Sequence, residues 1–495
     1  MFIGVDCGTQ GTKVLICDSR THCVVGSGYT KHDMISDNNG RREQQVSWWI
    51  EAFLSAFNQA KEGLTIDLST IKAIGISGQQ HGMVLLDKFD NPLHPAKLWC
   101  DTETASENQE IIELMGGAKG VMSQIGIMLQ TGYTASKILW FKKNHPESYA
   151  KIDKIMLPHD YLNYWLTGQF VSEYGDASGT GYLNVKTRQY DEVLFSHIAP
   201  GLSIKKNLPK LIEANTPIGK LKPEVAEIME LSPNTLVASG GGDNMMGAIG
   251  TGNIKPGIVT MSLGTSGTLY AYSDTPMQSG NDLLANFCSS SNGWLPLICT
   301  MNVTASTTLM QQLFKIDINT FTEYLSHSEP GAQGITLLPF FNGERVPALP
   351  NATAALLGLT NDNATQANII RATTEAATFT LRYGLDIFRQ EGIIPTEIRL
   401  IGGGSKNPVW RQMVADVMNT PVVCPFEHEA AALGGAIQAK WVYEHSIGNK
   451  MSLAEICDGF VGLDEDTRAE PIIENIAKYE TSYQRYLSHL VEQYG

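Results

Sequence analysis

Gly8-Thr9-Gln10-Gly11-Thr12 reappears half a chain later as Gly264-Thr265-Ser266-Gly267-Thr268. Each copy follows a short apolar run, Met1 to Val5 in one case and Ile258 to Leu263 in the other. Each leads into another, Val14-Leu15-Ile16 and Leu269-Tyr270-Ala271. Apolar runs on both sides of a Gly/Thr turn predict a β-hairpin. A second echo agrees with the first: Ile71-Lys72-Ala73-Ile74-Gly75 and Ile398-Arg399-Leu400-Ile401-Gly402 both read as strands running into glycine. The two echoes are differently spaced, so the second half carries insertions. A repeat this long is not a solenoid; it predicts a duplicated domain.

Between these strands lie helical patterns. Asn363 is placed to cap a helix running to about Glu391 and ended by Gly392. Ile369, Ala372, Ala376, Phe379, Tyr383 and Ile387 form its apolar stripe. Further helices are predicted over 407–419, 427–445 and 472–492. Strands alternating with helices predict an α/β architecture. The glycine-rich stretch 238–257 lies near mid-chain and is the predicted hinge, dividing the chain into domains 1–243 and 244–495.

Composition excludes several classes. Hydrophobic residues make up 43% of the 495 and charged residues 18%, enough to bury a large core. Lysine and arginine number 36 against 51 acids, a net charge of −15, which argues against a nucleic-acid binder. The eight cysteines form no C-x-x-C pair, so zinc ribbons and thiol redox motifs find no support. Scattered thiols predict a reducing cytoplasm. The N-terminus lacks the basic and apolar regions of a secretory leader. The run from Leu283 to Phe314 carries no charge but is broken by serines, asparagines and Thr300. It is too polar for a membrane span and predicts interior strand and loop.

A Gly/Thr turn offers closely spaced N–H groups and hydroxyls, the donors a phosphate needs. Two such turns in one chain predict a polyphosphate gripped by Gly11 and Thr12 on one side and by Gly264 and Thr265 on the other. Asp6 precedes the first turn; it can hold Mg²⁺ beside the phosphates or cap the turn. Lys13 either adds charge there or is a solvated strand lysine. Asp243, after Gly240-Gly241-Gly242, can accept a proton from an attacking hydroxyl or act as an N-cap. Gly403 and Gly404 sit at a strand-to-helix junction, where a flat ring such as adenine can lie on bare backbone or where the chain simply turns tightly. Gln79-Gln80-His81-Gly82 at a strand end suits a polyol, or His81 is structural. Trp99-Cys100-Asp101 and Asp176-Ala177-Ser178-Gly179-Thr180 are further polar clusters, and Glu344-Arg345 reads as an internal ion pair. Neither G-x-x-x-x-G-K-[ST] nor G-x-G-x-x-G occurs at these glycines.

Together these residues resemble the FGGY family of carbohydrate kinases, within the actin-like, hexokinase-like (ribonuclease H-like) superfamily. The likeness runs from Ile3 to about Trp441. Gly402 to Met413 matches the family's C-terminal signature, and Gly240 to Asn244 its G-G-G-D-N stretch. The resemblance implies two actin-like domains flanking a catalytic cleft and ATP with Mg²⁺ as cofactors. It makes Asp243 the general base and Asp6 the Mg²⁺ residue, acting through water in the family's manner. ATP would be held by Gly11, Thr12, Lys13, Gly264, Thr265, Gly403, Gly404 and Asn407. Sugar would be held by Gln80, His81, Asp101 and Asn244. Gly78 to Gly82 is similar to the loop of the xylulose-phosphorylating branch, with Gln80 where methionine is usual and Cys100 replacing an asparagine. The implied partners are D-xylulose and ATP, the implied assembly a cytoplasmic homodimer. Kinases of ribulose or gluconate are the neighbouring reading; a filament or chaperone ATPase would have no use for the sugar loop.

Overall fold

The computed structural model of the chain describes residues 1–64 and 67–495. It contains two compact units. The first comprises Met1–Lys255, Tyr272–Pro296 and Glu429–Val461; the second comprises Pro256–Ala271, Leu297–His428 and Gly462–Gly495.

In the first unit, β1 (Phe2–Cys7) and β2 (Gly11–Asp18) form the predicted hairpin, with Cys7 opposite Thr12 at its mouth. β2 pairs antiparallel with β3 (Cys23–Lys31), and β1 takes β4 (Ala73–Gly78) in parallel on its other edge. With β5 (Gly219–Lys220) and β6 (Leu236–Val237), the order is β5-β6-β4-β1-β2-β3.

The second unit repeats this plan. β7 (Ile258–Leu263) and β8 (Gly267–Ala271) form the second hairpin, and β9 (Trp294–Thr300) is antiparallel to β8. β10 (Glu397–Ile401) lies parallel to β7, followed by β11 (Val422–Pro425) and β12 (Leu463–Ala469), in the order β9-β8-β7-β10-β11-β12. Both echoes therefore occupy equivalent places: β4 and β10 each flank the first strand of their hairpin in parallel.

β1 and β4 are buried almost throughout instead of alternating, as expected where helices cover both faces of a sheet. Ile3, Val5, Val14 and Ile16 pack with Trp49, Phe53 and Phe57 of helix Val46–Lys61. Phe2 and Leu15, on the opposite face, pack with Ala432, Leu433 and Ala436 of helix Ala430–Ser446. That helix is apolar around most of its circumference, the mark of a fully buried helix. Glycine permits its approach. A Cβ on Gly4 would lie 1.8 Å from Ala432 O, and one on Gly75 would lie 2.1 Å from Gly435 O. On the helix Asp243–Gly250, a Cβ at Gly250 would lie 1.7 Å from Ala430 O.

These contacts correct the predicted division at 243/244. Helix Asp243–Gly250 belongs to the first unit, and the chain returns at Glu429–Val461 to cover that unit's sheet. The stretch 238–257 is not a free hinge: Ser239 to Gly242 and Met245 to Asn253 are buried, and Gly240 N donates to Gln438 Oε1 at 2.8 Å. The unit boundary falls at Lys255/Pro256.

The remaining helices sit close to expectation. Gln366–Gln390 is capped by Thr365, not Asn363. The Asn363 amide instead braces the preceding loop through Gln333 O and Gly358 O. Pro408–Met418 begins after Asn407, which accepts from Val409 N and Trp410 N. The closing helix is Ile473–Tyr494.

Candidate active site

Each unit carries its own polar site at the glycine-rich end of its hairpin. In the first unit Asp6 sits near the end of β1 and accepts from Ser77 Oγ at 2.8 Å. Burial and the nearby Asp243 carboxylate push its pKa up to about 7. The turn after it is closed by Gly8 N donating to Gly11 O at 3.0 Å. A Cβ on Gly11 would lie 2.6 Å from Thr30 O and from the Tyr29 ring, so only glycine fits.

Three residues pin this turn, two of which, Gln44 and His32, sequence reasoning missed, while Trp99 stood in a polar cluster with no link to the turn. Gln44 Nε2 donates to Thr9 O at 2.8 Å, and Trp99 Nε1 to Thr9 Oγ1 at 2.9 Å. His32 Nε2 lies 2.8 Å from the Thr12 hydroxyl, and burial lowers its pKa to about 4, keeping it neutral. No local pattern ties them to the turn, because each reaches it from a distant element. Lys13 is ion-paired with Glu429 and lies 5.2 Å from the Tyr29 ring centroid. Its charge is thus already matched inside the protein.

Asp243 opens helix Asp243–Gly250, with Gly242 in the cap position. Its Oδ1 accepts from Asn244 N at 2.8 Å and Asn244 Nδ2 at 3.1 Å. Asn244 Nδ2 also donates to Gln80 Oε1 at 2.9 Å. A Cβ on Gly242 would meet Gln80 Cγ at 2.7 Å and Asp176 Oδ1 at 3.0 Å, so the third glycine lets the sugar-loop candidate and the carboxylate come together. Burial, with Asp176 nearby, raises Asp243 to about 6. Asp176 is itself bound to His159 Nδ1 at 2.6 Å.

His81 takes the left-handed conformation at φ +63°. Its Nδ1 is 2.7 Å from Gly179 O, and its ring stacks on Tyr133 with centroids 4.3 Å apart. Phe287 lies at 5.7 Å. The predicted cluster Asp176 to Thr180 thus meets both halves of the site, flanking Gly242 through its first residue and His81 through its fourth.

Asp101 has a different setting from the one expected. It is fully buried, and it accepts from Arg42 N at 2.8 Å, Glu103 N at 3.1 Å and Lys97 Nζ at 3.0 Å. Lys97 also meets Glu43 at 3.1 Å and Glu103 at 2.5 Å. Three carboxylates close enough to ligate a cation here surround a lysine ammonium instead. The expected Glu344–Arg345 ion pair is also corrected. The Glu344 carboxylate accepts from Met301 N at 2.7 Å, Asn302 Nδ2 at 3.0 Å and Arg345 N at 2.8 Å.

In the second unit a cavity of about 540 Å³ is lined by Thr265, Asn302, Thr304, Thr308, Gln312 and Asn342 among others. Helix Thr304–Phe314 opens against the second Gly/Thr turn, with Thr304 N donating to Gly264 O at 2.9 Å. This corrects the expectation of strand and loop up to Phe314: the segment ends in a helix whose hydroxyls and amides face the cavity. Its lack of charge was the only signal. At the second glycine cluster the three residues differ. Gly402 has φ +89°, and a Cβ on it would lie 2.8 Å from Leu263 O. A Cβ on Gly404 would meet Leu263 Cβ at 2.8 Å and the Trp410 ring at 2.9 Å, whereas one on Gly403 meets nothing within 4 Å. Asn407 is engaged structurally, capping its helix and donating to Thr322 Oγ1 at 2.9 Å.

A description of the N-terminal domain of the FGGY family of carbohydrate kinases matches residues 1–250, and that of the family's C-terminal domain matches residues 259–443. The chain is 55% identical to the xylulose kinase of Haemophilus influenzae over 498 residues, spanning all of both chains. It is 36% identical to the xylulose kinase of Streptomyces rubiginosus, over 89% of this chain and 87% of that one. The crystal structure of xylulose kinase from Bifidobacterium adolescentis superposes with a TM-score of 0.84 at 30% identity, covering 97% of this chain and 99% of that one.

Proposed function

The chain belongs to the FGGY family of carbohydrate kinases, and from that premise we propose that it transfers the γ-phosphoryl group of ATP to the 5-hydroxyl of D-xylulose, yielding D-xylulose 5-phosphate and ADP. The observation that carries the reading is the bonded set Asp243–Asn244–Gln80 with His81 on the next residue. It joins a carboxylate able to take a proton to polar groups able to hold a polyol. The full-length relative named for xylulose supports the choice of sugar.

Phosphoryl transfer asks the protein for positioning and charge balance more than for covalent chemistry. Asp243 accepts the proton of the attacking hydroxyl. Its pKa of about 6 keeps it ionised at neutral pH and basic enough to receive a proton. Gln80, His81 and Asn244 orient the sugar. The Gly/Thr turn at Gly11 and Thr12 receives phosphate oxygens in the first unit. The cavity at Thr265 in the second unit holds the nucleotide, with Gly403 leaving open backbone for a flat ring. Asp101 and Lys13 act at one remove, since both are matched by charges of the protein. Asp6 fits a magnesium ion: a half-buried carboxylate pushed to about 7 beside a second acid is relieved by a cation. Asp6 would hold Mg²⁺ through water, and the bound ion would neutralise charge on the phosphates.

None of the eight cysteines is in a disulfide, which fits a cytoplasmic enzyme; the same family reading carries a homodimer, measurable by light scattering. The test of the reaction is ADP release from the purified protein with xylulose, ribulose, other ketoses, glycerol and gluconate. Turnover should be greatest with xylulose. Preference for another polyol would replace the sugar, and no sugar-dependent turnover would sink the reading.

A further inference from the structure

We infer that Lys137 is a positioning residue for sugar recognition, its buried ammonium fixing the backbone that aims His81. The inference rests on the proposed role of His81 toward the sugar.

Lys137 lies in helix Thr134–Asn144 and is fully buried. Lysines are seldom buried without a counter-ion, yet among the described residues Lys137 makes no ion pair. Its Nζ donates to two backbone carbonyls, His81 O and Gly132 O, each at 2.6 Å. An apolar side chain of equal length would fill the volume at less desolvation cost. A lysine is required only if those carbonyls need donors. Burial, helped by the nearby Lys97 charge, pulls its pKa down to about 7, with Asp101 opposing the shift.

The two carbonyls belong to the stacked pair that makes the site. One is that of His81; the other immediately precedes Tyr133, whose ring lies against the imidazole. Both backbone positions are unusual, His81 at φ +63° and Gly132 at φ +131°. For a histidine the left-handed region is disfavoured and persists only where surrounding contacts over-determine it. They do so here. The His81 carbonyl receives Lys137 Nζ and, at 3.1 Å, Thr134 Oγ1; the ring is held by Gly179 O at 2.7 Å. Because Nδ1 faces a carbonyl it carries the proton, which makes Nε2 the accepting edge of the ring. Releasing the carbonyl frees the backbone turn, and with it the direction of that edge.

The experiment compares full-length Lys137→Met and Thr134→Val with the parent protein. In steady-state kinetics, Lys137→Met should raise the KM for sugar about tenfold, the scale of one misdirected hydrogen bond, while the KM for ATP changes less than about twofold. Thr134→Val should do the same to a smaller degree. Sugar KM unchanged, or rising in step with that for ATP, overturns the inference; if Lys137→Met does not fold, Thr134→Val decides by the same criterion. A second readout needs no activity. In ¹⁵N-histidine spectra, with the resonance assigned by His81→Gln, the parent should show His81 protonated at Nδ1. Folded Lys137→Met should show a mixture of tautomers. An unchanged His81 signal overturns the inference whichever sugar the enzyme accepts, so its failure is separable from that of the proposed reaction.

Discussion

Asp243 and Asp6 share one electrostatic fate: both are half-buried carboxylates raised by desolvation, Asp6 further by Asp243 and Asp243 further by Asp176. As the proposed base, Asp243 must be ionised, so kcat/KM for sugar should fall as pH drops through about 6. Asp243→Asn should lower kcat by roughly 10²–10⁴-fold; near-parental turnover would remove Asp243 from the mechanism. The same group acts on stability with a fixed sign. Its folded pKa lies above the unfolded value, so its favourable contribution is complete below the unfolded pKa of 3.8 and is lost as pH rises through about 6. Asp243→Asn should therefore be more stable than the parent at pH 8, by about 1–2 kcal/mol given partial exposure, with the gap shrinking by pH 5.5. Thermal unfolding at the two pH values measures it. At this scale the sequence was half legible. Three glycines before an acid announced Asp243, but nothing local announced that Asn244 reaches Gln80, 164 residues away. Asp101 stood out as part of a polar cluster; Lys97, which occupies its carboxylate, did not.

At the level of elements, the glycines of helix Ala430–Ser446 and of the strands beneath it are a packing code. Gly4→Ala or Gly434→Ala puts a methyl about 1.8–1.9 Å from a backbone carbonyl oxygen. Backbone cannot yield as a side chain can, so each should destabilise by at least about 1–3 kcal/mol, seen as a lower Tm. The Gly402–Gly404 junction separates structure from ligand binding. Gly404→Val collides with Leu263 and Trp410 and should lower Tm. At Gly403 an added Cβ meets nothing within 4 Å; Gly403→Val should leave Tm within about two degrees yet raise the KM for ATP about tenfold. Equal behaviour of the two variants would refute the proposed nucleotide contact. Both hairpins were readable because their apolar runs and turns are contiguous. The cap of helix Gln366–Gln390 was misread by two residues because Asn363 and Thr365 are both good caps, and only the loop carbonyls at Gln333 and Gly358 decide between them.

Over the whole molecule the duplication was readable and the division was not. Equivalent strands repeat short sequence patterns, but the return of Glu429–Val461 to the first unit is a property of packing between segments far apart in sequence. Residues 1–255 expressed alone should therefore fail as a domain: without helix Ala430–Ser446, the face carrying Phe2, Leu15, Met246 and Ile249 lies bare. The fragment should aggregate or lack a cooperative melt in calorimetry, whereas adding residues 429–461 in trans should recover solubility. A cooperative melt of residues 1–255 by themselves would overturn this account of the core.

That late return also governs how the chain is born. A ribosome releases Gly4 among the first residues and Gly434 near the end. At roughly 5–20 residues per second, the intervening synthesis lasts on the order of tens of seconds. Throughout that interval half of the nascent sheet has no lid of its own, so the growing polypeptide offers sticky surface to its surroundings until translation is almost over.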